Sequence, residues 1–204
     1  MIVVVRHGQT SLNAEGRLAG RLDVALTEVG KAQAHAAASA VLAAGTPARV
    51  ISSPLVRARQ TAAAFGMPVE IDERWTELDY GEYDGRPVDE VGASVWDAWR
   101  SDVTFAPPGG ESIAELGVRV RSACGELVEE VRSSGGGGGG ANGPIVVVSH
   151  VSPIKAAVAW ALGVDDAACW RMYLAPGSVT RIGVAARTPR LEGYNDTSHL
   201  VAGL

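Results

Sequence analysis

The sequence predicts an α/β protein with a mainly parallel central sheet that is flanked by helices on both faces. Two observations lead to this fold class. Short runs of β-branched residues alternate along the chain with longer helix-like segments. In addition, residues 2–5 and 145–148 are apolar runs without polar alternation, a pattern that is typical of parallel strands buried on both faces.

The strands are predicted from apolar, β-prone runs that lie between polar or turn-forming segments. They cover residues 2–5, 49–51, 69–71, 145–148, 172–174 and 179–184. The first four alternate with helical segments, which favours parallel pairing among them. The last two are β-prone runs in the C-terminal part of the chain.

The helices are predicted from their capping signals. Thr27 precedes an Ala-rich segment and is expected to be its N-cap. Ser53-Pro54 and Ser152-Pro153 each combine a serine cap with a proline at the first helical position. Ser112 and Glu115 form a capping box. The helix after Thr27 is expected to end near residue 45, and the one after Ser53 near residue 65. The helix after Ser112 is expected to end near residue 132, and the one after Ser152 near residue 162. A further short helix is expected near residues 89–99, in the loop-rich stretch 74–110.

Length and composition predict one soluble globular domain over residues 1–204. The chain has 47% hydrophobic and 20% charged residues and a formal net charge of −5, which argues against a general nucleic-acid or anionic-membrane binder. Six consecutive glycines indicate a flexible loop at residues 133–144. The short apolar run at the N-terminus lacks a preceding basic region, so we expect no signal peptide, no membrane span and a cytoplasmic location. Cys124 and Cys169 are expected to be buried thiols.

The strongest functional signal is a repeated strand ending. Residues 2–8 and 145–151 share a β-branched run that ends in a histidine, His7 and His150. Ligands of open parallel sheets bind beyond the carboxyl ends of strands, so these two imidazoles are expected to face each other. Arg6 and Arg57 would add two guanidinium groups, and the helix starts near residues 53 and 152 would add free N–H groups. Together they predict a site for a tetrahedral oxyanion.

This grouping suggests phosphoryl transfer. Neighbouring cations disfavour imidazolium, so His7 would remain a neutral nucleophile. Gly8 would let the backbone approach the phosphate, and His150 would donate a hydrogen bond to the transferring oxygens. The reaction also needs an acid for the leaving group. Spacing alone leaves three candidates, Glu77, Asp79 and Glu82.

The motifs that carry these residues resemble those of the histidine phosphatase superfamily, which contains the cofactor-dependent phosphoglycerate mutases. The matching segments, in order, are residues 6–10 with Asn13, 26–34, 52–62, 77–85, 108–112 and 148–150. The resemblance implies a phosphoglycerate mutase-like fold, a phosphohistidine on His7, a phosphate pocket of Arg6, Arg57 and His150, and Glu77 as proton donor. It also implies accessory phosphate or substrate contacts from Thr10 and Asn13 and a reaction step that needs no metal. We expect no cofactor.

Two departures favour a phosphatase that acts on a small phosphate ester. Val151 follows His150 where many members have glycine, and this version resembles the branch that includes α-ribazole phosphatase-like proteins; we therefore include Val151 among the substrate contacts. Only 111 − 77 = 34 residues separate Glu77 from Glu111, which is short for the substrate-binding insertion of the mutases. A phosphoglycerate mutase and a non-catalytic phosphometabolite-binding relative remain as alternatives.

Several residues have two interpretations from sequence alone. Lys155 is either a solvated helix residue or a substrate contact. Glu111 either opens a helix or faces the cleft. Trp96 and Trp99 share a helix face and either pack in the core or line the cleft. Exposed edge strands would permit a homodimer.

Overall fold

Six strands form one sheet in the computed structural model, which describes residues 1–133, 143–184 and 187–200. The strands are β1 (Ile2–Arg6), β2 (Arg49–Ser52), β3 (Val69–Ile71), β4 (Ile145–Ser149), β5 (Val179–Gly183) and β6 (Arg190–Asp196). Their order is β3-β2-β4-β1-β5-β6. The first four strands pair in parallel, whereas β5 and β6 are antiparallel. This arrangement confirms the predicted mainly parallel α/β fold.

Helices cover both faces of this sheet. They are α1 (Ser11–Ala14), α2 (Glu28–Ala44), α3 (Val56–Ala63), α4 (Ala93–Ser101), α5 (Ile113–Ser133) and α6 (Val151–Leu162). Because successive strand residues point to opposite faces, Val3 and Val5 pack with α2 and α3, whereas Ile2 and Val4 pack with α5 and α6. Strand β1 is therefore buried on both sides, as its uninterrupted apolar run predicts.

Two of the predicted helix caps are present. The hydroxyl oxygen of Thr27 accepts a hydrogen bond from the backbone N–H of Gly30 at 3.0 Å. Ser112 and Glu115 form the reciprocal bonds of a capping box at the start of α5. Helix α4 begins later than predicted, after a 3₁₀ turn over Val88–Glu90.

The two Ser-Pro caps were wrong predictions. The N-cap of α3 is Leu55, and that of α6 is His150. The Ser53 hydroxyl lies 2.7 Å from the His150 imidazole, and its oxygen also accepts a longer bond, 3.4 Å, from the N–H of Leu55. Ser152 is already inside α6, and its backbone N–H donates to the Glu77 carboxylate.

The C-terminal part of the chain also differs from the prediction. Residues 172–174 form no strand. Backbone groups here hydrogen-bond with side chains instead: the carbonyl of Leu174 accepts from Arg6, and the N–H of the next residue, Ala175, donates to Asn195. Strand β6 was missed since it is a half-buried edge strand with charged residues and a glycine. The predicted glycine-rich loop lies largely outside the described residues.

Both cysteines are buried free thiols, as predicted. Burial raises the pKa of Cys124 and that of Cys169 to about 12 in each case. In the described ranges, no helix has the length and apolar character that crossing a bilayer requires. Over the same ranges, no three His, Cys, Asp or Glu side chains group in a way that could hold a metal ion.

Candidate active site

The two histidines of the repeated motif lie side by side. Strands β1 and β4 pair in parallel with Arg6 opposite Ser149, so the next residue of each chain segment leaves the sheet at the same edge. The ring centroids of His7 and His150 are 5.0 Å apart, and the ring planes are inclined by 58°. Both residues are buried. The sheet register thus brings together two side chains that are 143 residues apart in sequence (150 − 7).

The hydrogen bonds of His7 determine which ring nitrogen is available for chemistry. Nδ1 lies 2.7 Å from the carbonyl oxygen of Gly8. A carbonyl oxygen only accepts hydrogen bonds, so Nδ1 carries the proton and Nε2 keeps its lone pair. Burial, reinforced by the charges of Arg57 and Arg6, lowers the pKa of His7 well below its usual value. His7 is therefore a neutral imidazole with a nucleophilic Nε2.

His150 has the opposite arrangement of ring nitrogens. Its Nε2 lies 2.7 Å from the hydroxyl of Ser53, and its Nδ1 is buried with no hydrogen-bond partner among the described residues. Burial is the main cause that lowers the pKa of His150 well below its usual value, and the charge of Arg57 adds to it. When the Ser53 hydroxyl donates to Nε2, the proton of the neutral ring resides on Nδ1, from which it can be donated to an anion.

Backbone carbonyls fix the two guanidinium groups. One Nη of Arg6 donates to the carbonyl of Leu174 at 2.5 Å. The two Nη atoms of Arg57 donate to Leu22 and Gly20 at 2.6 and 2.8 Å. The Nε atoms of both arginines are buried without a hydrogen-bond partner in the described part of the chain. Each arginine thus retains unused N–H groups in a fixed orientation.

Burial lowers the pKa of both arginines, that of Arg6 to about 10. The negative charge of Glu77 opposes this effect at both residues. Two buried cations and two neutral imidazoles make the site electropositive. A dianionic phosphate is the type of ligand that such a group of side chains attracts.

The structure distinguishes the three candidate acids. Glu77 is buried, and its carboxylate accepts hydrogen bonds at 3.1 Å from the backbone N–H groups of Val151 and Ser152, next to His150. Asp79 accepts from the N–H of Gly81 within its own loop, and Glu82 is exposed. Only Glu77, among these three, adjoins the histidine pair.

The free helix N-termini that the sequence suggested for the oxyanion are occupied by carboxylates of the chain. At α6 the carboxylate belongs to Glu77. At α3 the backbone N–H of Val56 donates to Asp23 at 2.7 Å. The side chains of the two arginines and of His150, rather than these backbone groups, are therefore what the site offers to an anion.

The expected accessory residues hydrogen-bond and pack within the loop after β1. The backbone N–H of Gly8 donates to the Thr61 hydroxyl, and a Cβ on Gly8 would lie only 2.1 Å from the carbonyl oxygen of Gly30. Glycine is thus required there by close backbone packing. Thr10 and Asn13 hydrogen-bond to each other in the capping box of α1.

A loop between residues 174 and 178 supports the site and was not found from the sequence. Besides the bond from Arg6 to Leu174, the backbone N–H of Gly177 donates to the carbonyl of His7 at 3.1 Å. The loop therefore contacts both members of the Arg6-His7 pair. These bonds involve backbone atoms, which leave no signal in the residue pattern.

Two side chains from the end of the chain hold this loop. The Asn195 amide oxygen accepts from the N–H of Ala175 at 2.7 Å, and the His199 Nε2 donates to the carbonyl of Gly177 at 2.9 Å. Asn195 has φ +53°, a left-handed conformation that asparagine tolerates better than most residues. The sequence pattern around Asn195 and His199 did not indicate that they hold this loop.

The structure answers two of the questions that the sequence left open. Glu111 forms an ion pair with Arg119 at 2.7 Å, and Arg119 also donates to the carbonyl of Glu77 at 3.3 Å. Glu111 therefore supports the segment that carries Glu77. Trp99 is buried within a cluster of aromatic rings, and Trp96 packs against it, which agrees with the core interpretation.

Comparisons with known proteins agree with this geometry. A family model described as "Histidine phosphatase superfamily (branch 1)" matches residues 2–197. A glucosyl-3-phosphoglycerate phosphatase of Mycolicibacterium vanbaalenii is 38% identical over 196 residues, covering 92% of this chain and 84% of the relative. A probable phosphoglycerate mutase of Yersinia enterocolitica is 32% identical over 214 residues, covering 98% of this chain and 94% of the relative.

Solved structures share the same fold. The structure of a mycobacterial glucosyl-3-phosphoglycerate phosphatase in complex with VO3 superposes with a TM-score of 0.84 at 33% identity, covering 96% of this chain and 99% of the other. A phosphoserine phosphatase mutant from Entamoeba histolytica in complex with phosphoserine superposes with a TM-score of 0.85 at 26% identity, covering 98% of each chain.

Proposed function

The chain belongs to the histidine phosphatase superfamily, and on that premise we propose that its buried site hydrolyses small phosphate monoesters through a phosphohistidine on His7. The observation that carries this assignment is the pair of neutral imidazoles with ring centroids 5.0 Å apart. His7 presents a free Nε2, and His150 presents an Nδ1 without a partner among the described residues. One ring is thus prepared to attack and the other to donate.

The phosphate of the substrate would bind to the N–H groups that the protein leaves unused. Arg6 and Arg57 supply guanidinium N–H groups, and His150 supplies Nδ1–H. These donors are fixed before the substrate arrives, because backbone carbonyls and Ser53 hold them in place. Preorganised donors stabilise the charge of the transferring group at little reorganisation cost, which is usually the largest single contribution to catalysis.

The reaction has two chemical steps. In the first, the Glu77 carboxylate takes up a proton from solvent when the phosphate dianion binds. The lone pair of His7 Nε2 then attacks phosphorus, the bond from phosphorus to the ester oxygen breaks, and this proton passes to the leaving oxygen. In the second, Glu77 takes a proton from a water molecule that attacks the phosphohistidine. The P–N bond then breaks, and inorganic phosphate and neutral His7 are released.

We propose that hydrolysis rather than mutase turnover is the outcome. The segment between Glu77 and Glu111 is short, and it folds into 3₁₀ turns and helix α4 around Trp99. Trp99 packs there against other aromatic rings, so this segment serves the core. The phosphatase names of two groups of relatives agree with hydrolysis.

The remaining expectations from the sequence stay as proposals. We propose that residues 1–204 act as one domain in the cytoplasm, without nucleic-acid partners, and that the protein forms a homodimer through an exposed sheet edge. The catalytic step is proposed to need no metal or cofactor. Full activity after dialysis against EDTA is the expected result, and restoration of lost activity by an added metal would contradict it.

Trapping of the intermediate tests the assignment directly. A phosphate-release screen over glucosyl-3-phosphoglycerate, 3-phosphoglycerate, phosphoserine, sugar phosphates, nucleotides and α-ribazole phosphate would identify a substrate. Rapid quenching of the reaction with that substrate, labelled with ³²P, should yield protein-bound label that is stable to base and lost in acid. His7→Ala should abolish the label and turnover, whereas His35→Ala, on the exposed side of α2, should preserve both. Label that persists in His7→Ala would refute the proposed nucleophile.

A further inference from the structure

Lys155 is a cation that the proposed reaction does not use. The chain has only two lysines, Lys31 and Lys155. Lys31 is exposed and pairs with Glu28 at 2.7 Å. Lys155 is half-buried, and within the described residues its ammonium group has neither a hydrogen bond nor an ion pair. Partial burial of a charge without a partner is unfavourable, so this lysine is an unusual feature of the fold.

The position of Lys155 on α6 directs it towards the active site. It lies one turn after Val151, on the same side of the helix, since residues four apart share a face. Long side chains on a helix lean towards its N-terminus, over the preceding turn. That turn contains Val151, whose N–H binds the Glu77 carboxylate. The ammonium group is therefore directed towards the end of α6 that borders the proposed phosphate site.

The electrostatic surroundings of Lys155 agree with this position. Burial lowers its pKa, the electrostatic interactions with Glu77 and Cys169 raise it, and the charge of Arg6 lowers it. Glu77 and Arg6 belong to the site, whereas Cys169 lies in the 3₁₀ turn Asp166–Arg171, which packs against α6. Glu77 and Lys155 form no ion pair within the described residues, and the Glu77 carboxylate accepts hydrogen bonds from the start of α6. An anion supplied by a ligand would be the natural partner.

We propose that Lys155 binds a carboxylate group of the substrate, so that the enzyme prefers phosphate esters of small carboxylic acids. This inference rests on the proposed phosphatase function and adds a substrate class to it. The phosphate would occupy the arginine and histidine donors, and the acid group would lie at the neighbouring ammonium group. The names of the relatives agree with this class, because glucosyl-3-phosphoglycerate and phosphoserine both carry a carboxylate next to a phosphorylated carbon chain.

Two substrates that differ only at the proposed contact test the idea. Glycerol 3-phosphate has the carbon skeleton of 3-phosphoglycerate, with a hydroxymethyl group in place of the carboxylate. In Lys155→Met, kcat/KM for 3-phosphoglycerate should fall about ten- to hundredfold, the range expected for loss of a charged hydrogen bond. The value for glycerol 3-phosphate should change by less than about threefold. Lys155→Arg should restore most of the preference, and the control Lys31→Met should resemble the wild type.

Binding measurements separate this inference from the catalytic assignment. In a His7→Ala background, calorimetry should show tighter binding of 3-phosphoglycerate than of glycerol 3-phosphate, and Lys155→Met should remove that difference. This readout needs no turnover, so it holds even if phosphohistidine is never trapped. Equal changes for both ligands, or an unchanged ratio of their dissociation constants, would overturn the role of Lys155 and leave the proposed function intact.

Discussion

The carboxylate of Glu77 binds the backbone of Val151, with 3.1 Å between Glu77 Oε2 and the amide nitrogen. Val151 directly follows His150 and is the first residue of α6. The proposed proton donor is thus attached to the element that carries the second histidine. Because Glu77 Oε1 also accepts from Ser152, the same carboxylate stabilises the positive end of α6. In the proposed mechanism, chemistry and helix capping thus depend on one side chain.

Substitution of Glu77 should separate these two roles. Glu77→Gln retains one acceptor oxygen for the helix but cannot transfer a proton. We expect kcat for alkyl phosphates to fall about 10²- to 10⁴-fold, with a much smaller loss for p-nitrophenyl phosphate, whose leaving group needs no proton. Steady-state kinetics with both substrates provide the measurement. An equal loss for the two esters would contradict the acid role.

Glu77→Ala provides the matched comparison for stability. It removes both acceptors from buried backbone N–H groups, so its unfolding free energy should lie about 1 kcal/mol or more below that of Glu77→Gln. Urea unfolding followed by circular dichroism measures the difference. If the two variants are equally stable, the Glu77 carboxylate does not cap α6 to a significant extent.

Ser53 should control the protonation site of His150. Ser53→Ala removes the hydroxyl next to Nε2, after which the neutral ring is free to carry its proton on the wrong nitrogen. We expect kcat to fall about tenfold or more, and ¹⁵N NMR of the histidine ring should show a change of tautomer. Ser53→Thr keeps the hydroxyl and is the matched control. Wild-type kcat with an unchanged tautomer in Ser53→Ala would exclude this role.

The buried histidines should make the protein less stable in acid. The pKa values of His7 and His150 are lowered by folding, so below about pH 6.5 the unfolded chain binds protons that the folded chain does not. Their contribution to stability is complete above that pH and is lost as the pH falls, by up to about 1.4 kcal/mol per pH unit for each histidine. Urea unfolding at pH 7.5, 6.5 and 5.5 measures the slope.

Removal of one histidine should flatten that slope. His7→Asn places an amide donor near the Gly8 carbonyl but has no titrating group. Its unfolding free energy should therefore decline less steeply than that of the wild type between pH 6.5 and 5.5, while the two curves run parallel above pH 7. Parallel curves over the whole range would show that His7 does not titrate differently in the folded and unfolded states.

Asn195 should affect both stability and substrate binding. Asn195→Gly keeps the left-handed backbone and loses the bond to Ala175, whereas Asn195→Ala also introduces a strained conformation. We expect the alanine variant to be about 1 kcal/mol less stable than the glycine variant. Both should raise KM, because the loop they loosen holds Arg6 through Leu174. A more stable alanine variant, or an unchanged KM in both, would contradict this account.

Much of the fold and the central pair of the site could be predicted from the sequence because apolar patterning and sheet geometry act together. Uninterrupted apolar runs identify β1 and β4 as buried parallel strands, and the histidine that follows each run then emerges at the same edge. The spacing of the candidate acids, in contrast, left three possibilities. Only the position of Glu77 against α6 distinguishes it from Asp79 and Glu82.

The remaining features depend on hydrogen bonds between distant parts of the chain. Ser53 has the residue pattern of a helix cap, yet its hydroxyl binds His150, which is 97 residues away. Leu174 contributes a backbone carbonyl, which any residue would supply. The partial burial of Lys155 follows from how α6 packs, and a single sequence does not specify that packing.

The two buried thiols also determine how the protein can be labelled. Cys124 and Cys169 are buried, and their pKa values are raised to about 12. Both thiols should therefore be inert towards maleimides at neutral pH. A single cysteine introduced at Tyr173, which is 73% exposed beside the loop that holds Arg6, would then accept a fluorophore selectively in the otherwise native chain. Such a reporter would allow ligand entry to be followed in real time without first replacing either natural cysteine.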